Sequence, residues 1–143
     1  MRKATGILLA ALMGIWGCAS VITDPLDRRG HFENTHTDFT QYIRWGRFED
    51  ASKFVAPELR EQFMSCSPEQ SDLRFSDYEI NQVDMDEGYS SASVEVRYTA
   101  YRLRYPVERS VDLTEEWTRD ETTGAWTVKL DIEKLRNTMY GAR

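Results

Sequence analysis

The spacing of apolar positions changes period once along this chain, and the change divides it. Phe39, Tyr42, Ile43 and Trp45 recur at helical spacing, with Thr37 or Asp38 available as N-cap. Gly46 interrupts the run. Phe48, Ala51, Phe54 and Val55 continue it with charged residues between them, until Ala56-Pro57 disfavours further helix. Leu59, Phe63 and Met64 predict one more short helical piece. After a loop over 65–72 the period becomes two. Residues 73–85 read as a strand carrying Tyr78, Ile80 and Val83, closed by a turn at Asp84, Asp86, Glu87 and Gly88. Ala92, Val94, Val96, Tyr98 and Ala100 alternate with polar residues, the mark of a half-buried strand. Pro106 marks the next turn. Val107, Arg109, Val111, Leu113, Glu115 and Trp117 share one phase of a third strand. A polar loop at 119–124 leads to Trp126, Val128, Leu130 and Ile132, and the tail from Glu133 reads as a short, fraying helix.

The chain before Thr37 has a different character. Arg2 and Lys3 precede an uncharged run, Gly6 to Trp16, whose apolar centre is Ile7 to Met13. The pattern is that of a signal peptide, since about 11 residues are too few for a bilayer core that needs roughly 20. Ile15-Trp16-Gly17-Cys18 follows: an aliphatic residue, a variable one, a small one and a cysteine. It resembles the lipobox of bacterial lipoproteins, although Trp16 is bulkier than is usual there. The resemblance implies cleavage before Cys18 and attachment of a diacylglycerol, with palmitate-like chains, to its thiol as a thioether. Each buried CH₂ would contribute about 0.8 kcal/mol to a membrane anchor. Ala19-Ser20, in place of the aspartate that retains such proteins in the inner membrane, implies the outer membrane, with the domain facing the periplasm. Residues 19–36, with Asp24-Pro25, Asp27, Arg28, Arg29 and Gly30 and no apolar period, are expected to form a polar tether. The expected organisation is thus 1–17 signal peptide, 18–36 lipidated cysteine and tether, and 37–143 a single domain.

Composition bounds the rest. One domain accounts for 143 residues, and four Trp, seven Tyr and six Phe provide for a real core. The formal charge of −6 becomes −8 when residues 1–17 are removed, because they carry Arg2 and Lys3 and no acid. That excess argues against nucleic acid and against a surface lying flat on anionic lipid. With Cys18 acylated, Cys66 has no intramolecular partner; it reads as a buried, inert thiol rather than a reactive one.

Helices first and antiparallel strands afterwards give an α+β fold, with N-terminal helices packed on a curved antiparallel sheet. Trp45-Gly46-Arg47-Phe48-Glu49-Asp50-Ala51, together with Glu116-Trp117 and Gly124-Ala125-Trp126-Thr127-Val128, resembles the nuclear-transport-factor-two-like superfamily with its SnoaL-like and ketosteroid-isomerase-like domains. The resemblance spans about residues 37–132 and implies a cystatin-like cone, often with an apolar pocket at its open end. Trp45-Gly46-x-Phe48 also resembles a single tetratricopeptide helix, but one unit without repetition cannot bury its own face.

Catalysis in such a cone would need a buried acid or base. Glu115, in phase with Val111, Leu113 and Trp117, is the candidate, with Tyr98 as a hydrogen-bond donor beside it; the pairing echoes the carboxylate and tyrosine the ketosteroid isomerases use. The competing reading leaves Glu115 exposed near the sheet end or paired with Arg97, Arg102, Arg104 or Arg109. His31 and His36 lie in the expected tether, and Asp84 to Gly88 lacks the full ligand pattern of a calcium loop, so no metal or other cofactor is expected. Trp45, Trp117 and Trp126 read as core. The expected function is a non-catalytic outer-membrane lipoprotein whose domain binds an envelope protein or a small apolar ligand; the alternative is a periplasmic isomerase or dehydratase using a pocket carboxylate.

Overall fold

A computed structural model describes Asp24 and residues 26–141. The signal segment, Cys18 and Ala19-Ser20 lie outside the described residues. The elements run α1 (Arg28–Arg44), α2 (Phe48–Ser52), a 3-10 turn (Pro57–Leu59), α3 (Arg60–Met64), β1 (Leu73–Met85), β2 (Ser91–Arg102), β3 (Tyr105–Arg119), β4 (Trp126–Leu130) and α4 (Ile132–Tyr140). The four strands form one antiparallel sheet in the order β1-β2-β3-β4. The helices pack on one face of it.

α1 starts nine residues earlier than the hydropathy pattern predicts, so residues 28–36 are helix and not tether. The reason lies in the stripe α1 buries: Phe32, Thr35, His36, Phe39, Thr40 and Ile43 recur at helical spacing, but half of them are polar. Thr35 and Thr40 satisfy their hydroxyls on the carbonyls one turn back, His31 O at 2.8 Å and His36 O at 3.0 Å. The polar stripe is therefore compatible with burial while remaining invisible to an apolar period. Asp24, not Thr37 or Asp38, serves the helix start, its Oδ2 accepting from Arg29 N at 2.9 Å. At the other end Gly46 N–H donates to Ile43 O and Arg47 N–H to Tyr42 O, the paired bonds of a Schellman cap. Gly46 has φ +71°, and a Cβ there would lie 2.9 Å from Pro68, so the position requires glycine.

β1 owes its shape to two register shifts, between Phe75 and Asp77 and between Ile80 and Gln82. Strict alternation would send Phe75, Tyr78, Ile80, Val83 and Met85 to different faces. Each shift inserts one residue and restores the phase. All five consequently face inward, opposite Ala100, Tyr98, Val96, Val94 and Ala92 of β2. The turn after β1 is closed by Asp86, whose carboxyl accepts backbone N–H bonds from Gly88, Ser90 and Ser91 and is held down at about 2 by them, Ser91 foremost.

Other boundaries shift for local reasons. The β2–β3 turn falls at Leu103 and Arg104, ahead of Pro106, which sits inside β3 near its start. Ile132 opens α4 rather than ending β4, because Asp131 Oδ1 caps Lys134 N at 2.8 Å. α4 docks through Ile132, Leu135 and Met139. Trp117 and Trp126 are core, whereas Trp45 is 70% exposed, bonded to Gln41 and lying beside Arg44. Cys66 is buried, and burial pushes its thiol up.

Candidate functional site

Glu115 lies on β3 opposite Val94 of β2, on the inner face, and has no exposed surface. Three side chains converge on its carboxyl. The Tyr98 hydroxyl donates to Oε1 at 2.6 Å, Trp117 Nε1–H donates to Oε2 at 3.1 Å, and His36 Nε2 meets Oε2 at 3.1 Å. Strand geometry supplies two of these partners. Trp117 is two residues from Glu115 and so shares its face, and Tyr98 shares that face from the neighbouring strand. His36 arrives from α1, 79 residues away in sequence. Burial first, and Glu115 second, raise the Tyr98 phenol well above 10, so it remains a donor.

Aromatic rings close the site. Phe32 lies 5.9 Å from the His36 ring and 5.8 Å from Trp117, and Phe39 meets Trp117 edge-on at 5.3 Å. The structure thus brings together the two residues picked out from sequence, Glu115 and Tyr98, but in a sealed network. None of the four nearby arginines reaches the carboxyl: Arg97 pairs with Asp112, Arg102 with Asp72, Arg109 donates to Thr138 O, and Arg104 makes no ion pair among the described residues. The competing reading of an exposed or arginine-paired Glu115 is therefore overturned.

Sequence reasoning missed His36 because it assigned that position to a tether. The usable signal was the spacing Phe32, His36, Phe39, Ile43, which places the imidazole on the buried stripe. His31, five residues before it, is exposed, so the two histidines do not converge. Among the described residues no group of three or more His, Cys, Asp or Glu could hold a metal ion, and no helix is long and apolar enough to cross a membrane.

Beside the sealed network an open groove of ≈ 610 Å³ runs between α1 and the distal half of β1. Phe32, Ile80, Val83 and Met85 form its apolar wall, and His36 also lines it. Arg29 and Glu33, paired at 2.9 Å, stand at its rim. Ile80 and Val83 are inward-facing yet 45% and 49% exposed, because α1 does not reach across them. Neither Glu115 nor Tyr98 lines this groove.

With that geometry in view, comparison with known proteins fixes the fold. A ketosteroid isomerase-like protein from Erwinia carotovora atroseptica superposes with a TM-score of 0.53 at 15% identity, over 71% of this chain and 91% of that one. The fold is the α+β cone. The cone also matches, at lower TM-scores, a cystatin-like-fold protein of unknown function from Nostoc punctiforme (0.44, 14% identity, 75% and 92% covered). A SEC-C motif-containing protein from Rhodopseudomonas palustris gives 0.48 at 14% identity, with 64% and 70% covered. No family model and no curated relative matches the sequence.

Proposed function

We propose that this protein is a non-catalytic, lipid-anchored envelope protein whose cone domain holds a small apolar ligand in the α1–β1 groove. The observation that carries the ligand reading is the inward placement of Ile80 and Val83. Two bulges turn these side chains to the inner face, where apolar surface is normally buried, and among the described residues no element covers them. A groove of this size, with an apolar wall flanked by polar groups such as Arg29, Glu33, Asp86 and Glu87, suits a small molecule that is mainly apolar and carries a polar end.

The isomerase or dehydratase alternative requires a substrate to reach Glu115. Both oxygens of that carboxyl are already engaged by Tyr98, Trp117 and His36, and no surface of it is open. A general base must come within hydrogen-bond reach of the proton it takes, so the network favours a structural role: it ties α1 to β2 and β3. The address belongs to the same proposal. Gly17-Cys18 and the apolar run before it support acylation at Cys18, and Ala19-Ser20 support sorting to the outer membrane with the domain in the periplasm.

Displacement of a fluorescent fatty acid tests the groove. The wild-type domain should bind the probe saturably, and the Ile80→Ser/Val83→Ser double variant should bind it at least tenfold more weakly with its fold unchanged. Equal binding by the two proteins would overturn the groove as the site.

A further inference from the structure

The end of the sheet remote from the β1–β2 turn carries a different chemistry. There the turn Leu103-Arg104 joins β2 to β3, and the end of α4 lies against it. Arg109 Nη1 donates to Thr138 O at 3.2 Å, and the Arg102 guanidinium sits 4.4 Å from the centre of the Tyr140 ring. Two clefts open here, of ≈ 380 and ≈ 620 Å³, and they share Arg102 and Tyr140. Arg109 lines the smaller; Arg104 and Arg136 line the larger. Four guanidinium groups are thus gathered at one end of a chain with a formal charge of −6, against only Glu69 and Asp72 in the same linings.

These arginines differ in state. Arg102 is fixed, with Asp72 on one side and the Tyr140 ring on the other. Arg104 and Arg136 are exposed and have no carboxylate within ion-pair distance among the described residues. Leu103-Arg104 also lacks the glycine, asparagine or aspartate that a tight turn favours, so local backbone preference does not account for the arginine there.

We propose that the larger cleft is a binding site for a phosphate group, with Arg104 and Arg136 as the two guanidinium forks that take it and Arg102 with Tyr140 as the fixed wall. Two forks at one cleft can engage more oxygens than a carboxylate's two. Phosphate presents three outer oxygens and can be shared by two. The site is independent of the α1–β1 groove, which lies by the opposite end of β2.

Titration of the purified chain with pyrophosphate at fixed ionic strength, followed by ¹⁵N–¹H NMR, tests the site. Saturable shifts should appear at Leu103, Arg104, Arg136 and Tyr140. The Arg104→Gln/Arg136→Gln double variant should bind at least tenfold more weakly, and Arg97→Gln, on the outer face, should bind as the wild type does. Shifts that never saturate, or that persist unchanged in the double variant, would overturn the proposal. A phosphate can come from a soluble compound or from a lipid headgroup, and flotation of the unacylated Cys18→Ser chain with vesicles separates the two. Co-flotation with phosphatidylglycerol but not phosphatidylcholine, lost in the double variant, assigns a headgroup. Pyrophosphate binding without co-flotation assigns a soluble ligand, and co-flotation indifferent to the two substitutions would count against the site.

Discussion

Tyr98 donates its hydroxyl to Glu115 Oε1 at 2.6 Å, in a place where the carboxyl has no contact with solvent. Two strands meet in that bond, and His36 extends it to α1. A buried carboxyl with three hydrogen-bond partners contributes to stability mainly through what its loss would leave unpaired.

Glu115→Leu should therefore destabilise the domain by about 3 kcal/mol or more, since Tyr98, Trp117 and His36 would each lose a partner at roughly 1–3 kcal/mol apiece. Tyr98→Phe, which removes one partner and leaves two, should cost about 1–2 kcal/mol. The two losses should not add, because they share one carboxyl. Urea denaturation checks this; a Glu115→Leu protein as stable as the wild type would contradict the structural role.

Tyr98 also gives a pH dependence whose sign is fixed. Its phenol ionises well above 10 in the folded chain and near 10 in the unfolded one. Neutral Tyr98 thus contributes stability that is complete below about pH 10 and is lost as pH rises toward the folded value. The fall in urea midpoint between pH 8 and pH 10.5 should be larger for wild type than for Tyr98→Phe. Identical falls would show that the phenol is not held neutral by the fold.

How much of this was legible in the sequence depended on the kind of signal. Val94, Val96, Leu113 and Trp117 announce their strands because alternation survives burial of one face. Glu115 and Tyr98 were legible as a pair for the same reason: each lies in phase with its strand's apolar residues. The first nine residues of α1 were not, since Thr35 and His36 are buried polar groups whose partners, a carbonyl one turn back and a carboxylate 79 residues away, leave no trace in hydropathy. Trp45 misled in the opposite direction. It follows Tyr42 at helical spacing but falls at the C-cap, one residue past the end of α1, where its ring is left exposed. Bulges hid the groove, because they change which residues of β1 share a face without changing composition.

Cys66 should be silent toward a thiol reagent in the folded protein at pH 8, since burial pushes its pKa up and leaves almost no surface for attack. Added denaturant should make it react stoichiometrically. Rapid modification of the native protein would contradict its burial.

Cys18→Ser tests the address. The variant should lose acyl labelling and move from the membrane fraction to the soluble periplasmic fraction, while the wild type stays with the outer membrane. Retention of the unlabelled variant in the membrane would contradict anchoring through this cysteine.

The ligand reading meets its most direct test in native mass spectrometry of the protein extracted from membranes in mild detergent. The account predicts a copurifying apolar small molecule on the wild-type domain and its absence from the Ile80→Ser/Val83→Ser variant, which should be within about 1 kcal/mol of wild-type stability because both positions are half exposed. A wild-type domain that emerges empty, or a ligand retained equally by the double variant, would contradict it.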